Sequence, residues 1–138
     1  MTAVGVEETA TVVVDGNNVI GTVPDGWWRD RPAAVRRLVG RLRCYAAATG
    51  RPVEVVLDVP QADLAEGAGG GVVVRYATRR GRDAADDRIL ELLDARGADE
   101  SLVEVVTSDR ALAEGASRRG ARVTGASAFL RRLEEAGC

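Results

Sequence analysis

The chain alternates short, almost wholly apolar segments with longer segments in which apolar residues recur at helical spacing. The apolar segments are residues 11–15 (TVVVD), 53–58 (VEVVLD) and 102–107 (LVEVVT), all rich in valine. Continuous apolar runs of this length are typical of strands buried on both faces. The alternation therefore predicts an α/β fold of three layers, in which an open, mainly parallel sheet is flanked by helices on both faces.

Helical periodicity supplies the other elements. A helix is predicted over residues 32–49, with Asp30 and Gly50 as its start and stop signals, and another over about residues 83–96. The glycine-rich residues 67–71 are predicted to be a flexible connection. Further predicted elements are strands at residues 72–76 and 122–124, a helix that follows residues 108–109 and ends near residue 120, and a last helix that Ser127 could cap.

The 138 residues suffice for one domain, predicted over residues 11–138, with residues 1–10 as a flexible tail. The sequence contains neither an apolar stretch of about 20 residues nor a signal-peptide pattern, so a cytoplasmic protein with no membrane association is expected. The two cysteines have no metal-like spacing. We interpret Cys44 as a small buried hydrophobic residue and Cys138 as incidental.

Histidine is absent, which excludes histidine-based nucleophilic catalysis and the commonest zinc ligands. The net charge is −2, so the chain as a whole does not favour a polyanionic partner. Every basic residue is arginine, a choice that reflects either the coding composition or phosphate binding. Catalysis would therefore depend on carboxylates, hydroxyls, arginines or a bound ion.

Three predicted strands end at or near an aspartate: Asp15, Asp58 and Asp109. Ligands of an open parallel sheet bind beyond the carboxyl ends of its strands. Asp15 stands out because it follows an apolar strand, where partial burial of a carboxylate is costly unless a partner or a metal offsets it. We expect Asp15 to be functional and leave Asn18 open, while Asn17 could be a residue of the turn that follows the strand.

A second acidic group, Asp83, Asp86 and Asp87, lies at the start of a predicted helix. Their spacing places Asp83 on the same helical face as the other two. Without histidine or thiolate ligands, such a cleft favours Mg²⁺ or Mn²⁺ over zinc. Structural alternatives remain, because Asp83 could cap its helix, the next two could interact with the helix dipole, and Asp109 could start the following helix.

Two hydroxyls, Thr107 and Ser108, follow the strand that leads to Asp109. Such hydroxyls either cap helices or hold water, phosphate or the ligands of a metal. For Ser108 we prefer the capping role.

Four blocks of the sequence resemble, in order, those of NYN domains, and in particular of their YacP-like branch in the PIN-like nuclease superfamily. The blocks are residues 14–21 (VDGNNVIG), 56–58 (VLD), 85–89 (ADDRI) and 106–109 (VTSD). The resemblance spans residues 12–133. It implies a PIN-like, Rossmann-like sheet with the first block on its central strand, a divalent-metal site for Mg²⁺ or Mn²⁺, and endonucleolytic cleavage of RNA.

On this resemblance, Asp15, Asp86 and Asp109 are the catalytic carboxylates and bind the metal, with Asp87 as a further ligand. The expected supporting residues are Asn18, Asp58, Asp83, Thr107 and Ser108. The expected chemistry is phosphodiester hydrolysis, in which the ion orients a water, lowers its pKa and neutralises the charge that develops on phosphorus.

Five side chains near these blocks are candidates for contacting RNA. Arg79, Arg80 and Arg82 precede the acidic helix and could bind flanking phosphates, or they could form a solvated loop. Trp27 and Trp28 could stack on bases, although packing on the core is expected for at least one of them.

Other functions stay open at this point. The domain could bind RNA or a partner without cutting, act as a toxin-type PIN ribonuclease, or hydrolyse phosphoesters with an aspartate nucleophile. The sequence lacks the C-terminal RNA-binding domain of the wider group and is acidic, so a ribosome or another protein could present the RNA. A homodimer is also left open.

Overall fold

One six-stranded sheet organises the computed structural model, which describes residues 10–81, 83–96 and 102–138. Its strands are β1 (Thr11–Asp15), β2 (Val53–Leu57), β3 (Gly67–Gly69), β4 (Val72–Tyr76), β5 (Val103–Val106) and β6 (Arg122–Thr124). The helices are α1 (Gly16–Gly21), α2 (Arg31–Thr49), α3 (Ala84–Arg96), α4 (Arg110–Arg118) and α5 (Ala126–Glu135), and Trp27–Arg29 form a 3-10 helix. The strand order is β3-β4-β2-β1-β5-β6, and only β3 runs antiparallel to its neighbour. The predicted α/β class and mainly parallel sheet are confirmed.

Strand β1 is buried on both faces. Val12 and Val14 pack into the core formed with α1, α2 and α5, whereas Val13 packs on the other face with α3 and α4. All three valines are fully buried, and burial of each contributes roughly 1.5–3 kcal/mol. A central strand covered by helices on both faces has to be apolar at every position, which is the pattern that predicted it.

Helix α2 begins and ends at the residues that the sequence indicated. The Asp30 carboxylate accepts a hydrogen bond from Ala33 N at 3.1 Å, and Gly50 ends the helix with a φ of 72°. Helix α5 is different, because its N-cap residue is Gly125, which has no side chain that could cap the helix. The prediction that Ser127 caps this helix is therefore wrong, since Ser127 already lies within it.

The glycine-rich segment predicted as a flexible connection is a hairpin. Gly67–Gly69 pair with β4, and Gly70 and Gly71 make the turn with φ of 61° and 81°. Two successive residues with positive φ suit a tight hairpin turn, and only glycine adopts that conformation at low cost. Arg43 of α2 donates from Nε to Gly69 O at 3.2 Å and so holds the hairpin against the helix.

The two cysteines form a disulfide, with a Cα–Cα distance of 5.7 Å, so the interpretation of both was wrong. Cys44 is exposed on α2 rather than buried, and Cys138 is held beside it because Arg41 Nε donates to Cys138 O at 3.0 Å. The sequence separation of 94 residues gave no sign of this pairing. The bond joins the end of the chain to the longest helix.

Two glutamates lie buried inside strands that are otherwise apolar. Glu104 of β5 accepts hydrogen bonds from Arg132 Nη1 and Nη2 at 2.8 and 2.9 Å, and Arg51 Nη2 lies 3.0 Å from its Oε1. Burial favours the neutral acid, but the hydrogen bonds from Arg132 and Thr124 outweigh it and lower the pKa of Glu104 to about 2. Glu54 of β2 is paired on the opposite face with Arg75 and Arg96.

Among the described helices, none is both long and apolar enough to cross a membrane. The tail predicted over residues 1–10 lies outside the described residues except for Ala10. That residue is buried, and its carbonyl accepts a hydrogen bond from Arg51 Nε at 3.2 Å.

Loss of the disulfide should lower the stability of the fold. A cross-link between residues 94 apart restricts the unfolded chain and stabilises the folded state by about 3–5 kcal/mol. We expect Cys138→Ser to lower the urea midpoint by a corresponding amount, and a reducing agent to do the same to the unmodified protein. The reducing agent should leave Cys138→Ser unchanged, and equal midpoints for the oxidised and reduced protein would contradict the pairing.

Neutralisation of Glu104 should also destabilise the fold, because it leaves Arg132 and Arg51 without their anion. A pKa lowered from 4.5 to about 2 corresponds to about 3 kcal/mol of stability, present above pH 4.5 and lost as pH falls towards 2. We therefore expect Glu104→Gln to lower the unfolding free energy by about 3 kcal/mol at neutral pH and by little near pH 2. Glu91→Gln, at an exposed pair, serves as control; an equal loss in both variants argues against a special role for Glu104.

Candidate active site at the carboxyl edge of the sheet

Asp15 is the last residue of β1, the strand at the centre of the parallel sheet, and it is only 3% exposed. Thr107, directly after β5, donates a hydrogen bond from Oγ1 to Asp15 Oδ2 at 2.8 Å. The same Oγ1 accepts a hydrogen bond from Asp109 N at 3.0 Å. Thr107 thus orients the buried carboxylate and ties it to the next acidic residue.

Gly16 lies at the closest approach of β1 to β2. A Cβ on this residue would lie 2.6 Å from Leu57 Cδ2 and 3.1 Å from Val56 O, so no side chain fits there. The chain turns here directly into helix α1 rather than through the turn that the sequence predicted for residues 15–18. Glycine is needed at this position for space, since its φ does not lie in the left-handed region.

The two asparagines of α1 connect β1 to the ends of both neighbouring strands. Asn17 Oδ1 accepts a hydrogen bond from Asp58 N at 2.9 Å, after β2, and Asn18 Oδ1 accepts one from Ser108 N at 2.7 Å, after β5. These bonds draw the chain at Asp58 and Ser108 towards Asp15. Asn17, which the sequence left as a turn residue, is therefore as important for the geometry of this edge as Asn18.

Two residues after β5 cap helices. Asp109 is the N-cap of α4, and its Oδ1 accepts a hydrogen bond from Leu112 N at 2.8 Å. Ser108 Oγ accepts one from Ala126 N at 2.9 Å, so Ser108 does cap a helix, but the helix is α5 rather than α4. Asp109 thus starts the following helix, as the sequence left open, but it uses only one carboxylate oxygen to do so. Its second oxygen makes no hydrogen bond with the described part of the chain.

Asp86, in the first turn of α3, completes an acidic cluster that we define as Asp15, Asp58, Asp86 and Asp109. Partial burial, together with repulsion by Asp15 and Asp109, raises the pKa of Asp86 to about 7. Burial likewise raises the pKa of Asp15 to about 6; the hydrogen bond from Thr107 opposes this rise, and repulsion by Asp109 and Asp58 adds to it. The structure therefore brings the three aspartates expected to be catalytic within electrostatic range of one another.

The remaining acidic and basic candidates lie around this cluster. Asp87 is paired with Arg79, so both charges are already engaged. Asp83 is exposed, has a φ of 65° and precedes α3, and its charge helps to raise the pKa of Asp86. Arg80 is exposed, and Arg82 lies outside the described residues.

In residues 10–81, 83–96 and 102–138, no three or more Asp, Glu or Cys side chains are arranged so that they could hold a metal ion together as they stand. The donor chemistry of the acidic cluster nevertheless suits a hard divalent cation, because all its ligand atoms would be carboxylate oxygens. Burial is the largest cause of the raised pKa values of Asp15 and Asp86, and repulsion by neighbouring carboxylates adds to it. A cation bound among these side chains would favour their charged forms.

The raised pKa values predict that the protein loses stability as pH rises. Asp15 and Asp86 bind protons more tightly in the folded chain than at the ordinary aspartate pKa of 3.8, so the unfolding free energy in EDTA should fall between about pH 4 and pH 7. We expect Asp86→Asn to raise the unfolding free energy by on the order of 1 kcal/mol at pH 8, where Asp86 is charged, with screening by solvent taken into account. At pH 4, where Asp86 is protonated in the folded protein, the substitution should have little effect. Urea titrations at both pH values, with exposed Asp94→Asn as control, provide the measurement; wild-type stability that rises across this range would contradict it.

Comparison with known proteins agrees with the fold described above. The family model of the YacP-like NYN domain matches residues 12–137. Two crystal structures of Rae1 (YacP) from Bacillus subtilis, one of them of a mutant, are similar in fold, with TM-scores of 0.77 and 0.76. Each is 26% identical to this chain and covers 94% of it, while the match covers 77% and 76% of the Rae1 chains.

No curated protein matches the chain. The match to the family model extends over nearly all of the chain, and it includes every element that carries the acidic cluster. The fold agrees with that of the two Rae1 structures over 94% of this chain. The chain therefore belongs to the YacP-like NYN domain family, whose domain is of the PIN-like nuclease type.

Proposed function

We propose that this protein is an endoribonuclease that hydrolyses RNA phosphodiester bonds with Mg²⁺ or Mn²⁺ at the acidic cluster. The observation that carries the proposal is the convergence of three carboxylates at one edge of the sheet: Asp15 at the end of β1, Asp86 in the first turn of α3 and Asp109 at the N-cap of α4. Asp15 and Asp109 are close enough to Asp86 to add to the rise of its pKa that burial causes. A purely structural cluster would be expected to hold arginines among its acids, as Glu104 does with Arg132. Within the described residues, no arginine forms an ion pair with a carboxylate of the acidic cluster, and clustered carboxylates of this kind suit a site for a cation.

In this proposal Asp15, Asp86 and Asp109 hold the ion. Because no three of these carboxylates could hold an ion as they stand, binding requires their side chains to rearrange. The bound ion would supply a water of lowered pKa and offset the charge that develops on the phosphate. Asp109 can contribute one oxygen while the other still caps α4, so the cap and the ligand role are compatible.

The other residues of the edge act on the position of these carboxylates. The hydroxyl of Thr107 fixes Asp15 Oδ2, and Asn18 holds the backbone of Ser108 next to Asp109. Asn17 does the same for Asp58 on the other side of β1. Asp87 and Asp83 add negative charge near the cluster, with Asp87 available as a ligand if its pair with Arg79 opens.

RNA is proposed as the substrate from the family, and the acidic balance of the chain suggests that binding depends on local contacts rather than on net charge. Of the two described arginines that precede α3, Arg80 is the one available to contact a flanking phosphate, because it is exposed whereas Arg79 is paired with Asp87. A ribosome or another protein could present the RNA, and the chain could act as a monomer or a dimer.

A cytoplasmic location belongs to the same proposal. Disulfides are rare in reducing cytosols, so the redox state of Cys44 and Cys138 in protein taken from cells tests the proposed location. Reduced cysteines would agree with a cytoplasmic location, and an intact disulfide would argue against it.

Cleavage of RNA by the pure protein tests the function. We expect Mn²⁺ or Mg²⁺ to support cutting of single-stranded or structured RNA, EDTA to abolish it, and Asp15→Asn, Asp86→Asn and Asp109→Asn each to slow it about a hundredfold or more. Asparagine is also a good N-cap, so Asp109→Asn should keep helix α4 intact. Asp94→Asn serves as the control. Asp94 lies on the same helix as Asp86 and is exposed in its pair with Arg119, so this variant should cut RNA at the wild-type rate.

The alternatives give different results in the same assay. Cutting that survives all three substitutions would identify a contaminating nuclease and overturn the proposal. Tight binding of RNA without cutting under either ion would instead favour a binding module. A toxin-type ribonuclease would be indicated if expression of the active protein, but not of Asp15→Asn, arrested cell growth.

A further inference from the structure

Both tryptophans of the chain lie on one short 3-10 helix, Trp27–Arg29, between α1 and α2. Trp27 is half-buried and packs against the core, as expected for at least one of them, whereas Trp28 is 59% exposed. Their ring centroids are 5.9 Å apart, with the ring planes at 89°. The exposed indole of Trp28 presents a flat aromatic surface to solvent.

Each indole has a guanidinium group over its ring. Arg29 lies 5.9 Å from the centre of the Trp28 ring, and Arg31 lies 5.3 Å from that of Trp27. Neither arginine forms an ion pair with a carboxylate in the described part of the chain. The surface therefore combines flat apolar faces with positive charges that lack a counter-ion, and these are the two features that bind a nucleobase and its phosphate.

This surface is continuous with the acidic cluster. A cavity of about 120 Å³ beside Trp27 and Arg31 is also lined by Asn17 and Asp58. Asn17 follows Asp15 by two residues and is hydrogen-bonded to Asp58 N at 2.9 Å. Val59, which follows Asp58 in the chain, is 62% exposed. A nucleotide bound at the tryptophans would thus lie next to the edge at which we propose cleavage.

We propose that Trp27, Trp28, Arg29 and Arg31 form a subsite for an unpaired nucleotide of single-stranded RNA. The inference rests on the proposed function, and it adds that the RNA is unpaired where it meets the protein. The faces of bases are accessible only when the strand is unpaired, so a duplex offers nothing to an indole at this position. An apolar protein partner would not use the two unpaired guanidinium groups, whereas RNA uses both the rings and the charges.

Intrinsic fluorescence tests the subsite directly, because the chain has no tryptophan elsewhere. In EDTA, where cleavage does not occur, a single-stranded oligoribonucleotide should quench the emission in a saturable way. The same strand annealed to its complement, and a strand of equal length with abasic residues, should quench it much less. Stacking contributes most of the binding, so their affinity should be roughly tenfold lower or more.

Variants of the exposed ring separate stacking from folding. Trp28→Ala should weaken binding of labelled single-stranded RNA roughly tenfold, as measured by fluorescence anisotropy, and Trp28→Phe should restore part of the affinity. Arg29→Ala should reduce the dependence of binding on salt. Leu102→Ala serves as the control, because Leu102 is an apolar side chain that is 37% exposed at the opposite end of the sheet. This variant should bind RNA like the wild type.

The outcomes distinguish this inference from the nuclease proposal. Quenching in EDTA without cutting when Mn²⁺ is added leaves the subsite standing and removes the nuclease. Cutting without any quenching, or quenching that duplex and abasic strands match, overturns the subsite alone. Emission that changes with protein concentration and not with RNA would show that a second copy of the chain covers Trp28, and this too would overturn it.

Discussion

The edge that carries the site depends on a carboxylate that is buried at the end of the central strand. Asp15 is almost inaccessible to solvent, and the single side-chain hydrogen bond from Thr107 does not offset the cost of its burial. Burial therefore raises the pKa of Asp15 to about 6. The fold tolerates this because β1 is held on both sides by parallel strands and covered by helices, whose packing stabilises the position against the unfavourable charge.

The residues that fix Asp15 also fix the rest of the cluster. Gly16 lets β1 and β2 approach, and Asn17 and Asn18 then bond the backbone beyond β2 and β5. One stretch of four residues thus sets three strand ends relative to one another. The Asp-Gly-Asn-Asn motif therefore has a structural role as well as a proposed chemical one. Its glycine provides space for β2, and its two asparagines hold the backbone after the neighbouring strands.

The molecule contains two kinds of buried or partly buried acid, and the contrast between them supports the proposed function. Glu104 is surrounded by arginines and its pKa falls, so it stabilises the fold at neutral pH. Burial, together with repulsion by neighbouring carboxylates, raises the pKa values of Asp15 and Asp86, so their charged forms destabilise the fold at neutral pH. Acids with raised pKa values are concentrated at functional sites, in agreement with the cation site that we propose.

The sequence by itself determined the α/β class, the bounds of the major strands and helices to within one or two residues, and the edge at which the aspartates meet. These features follow from local periodicity and from the rule that parallel strands end at one edge, so neighbouring residues suffice to reveal them. Only the tertiary structure decided the pairing of Cys44 with Cys138, the bond from Asn17 to Asp58 N and the exposure of Trp28. Each depends on groups that are distant in the chain or on the packing around them, and no local pattern records which distant groups the fold will bring together.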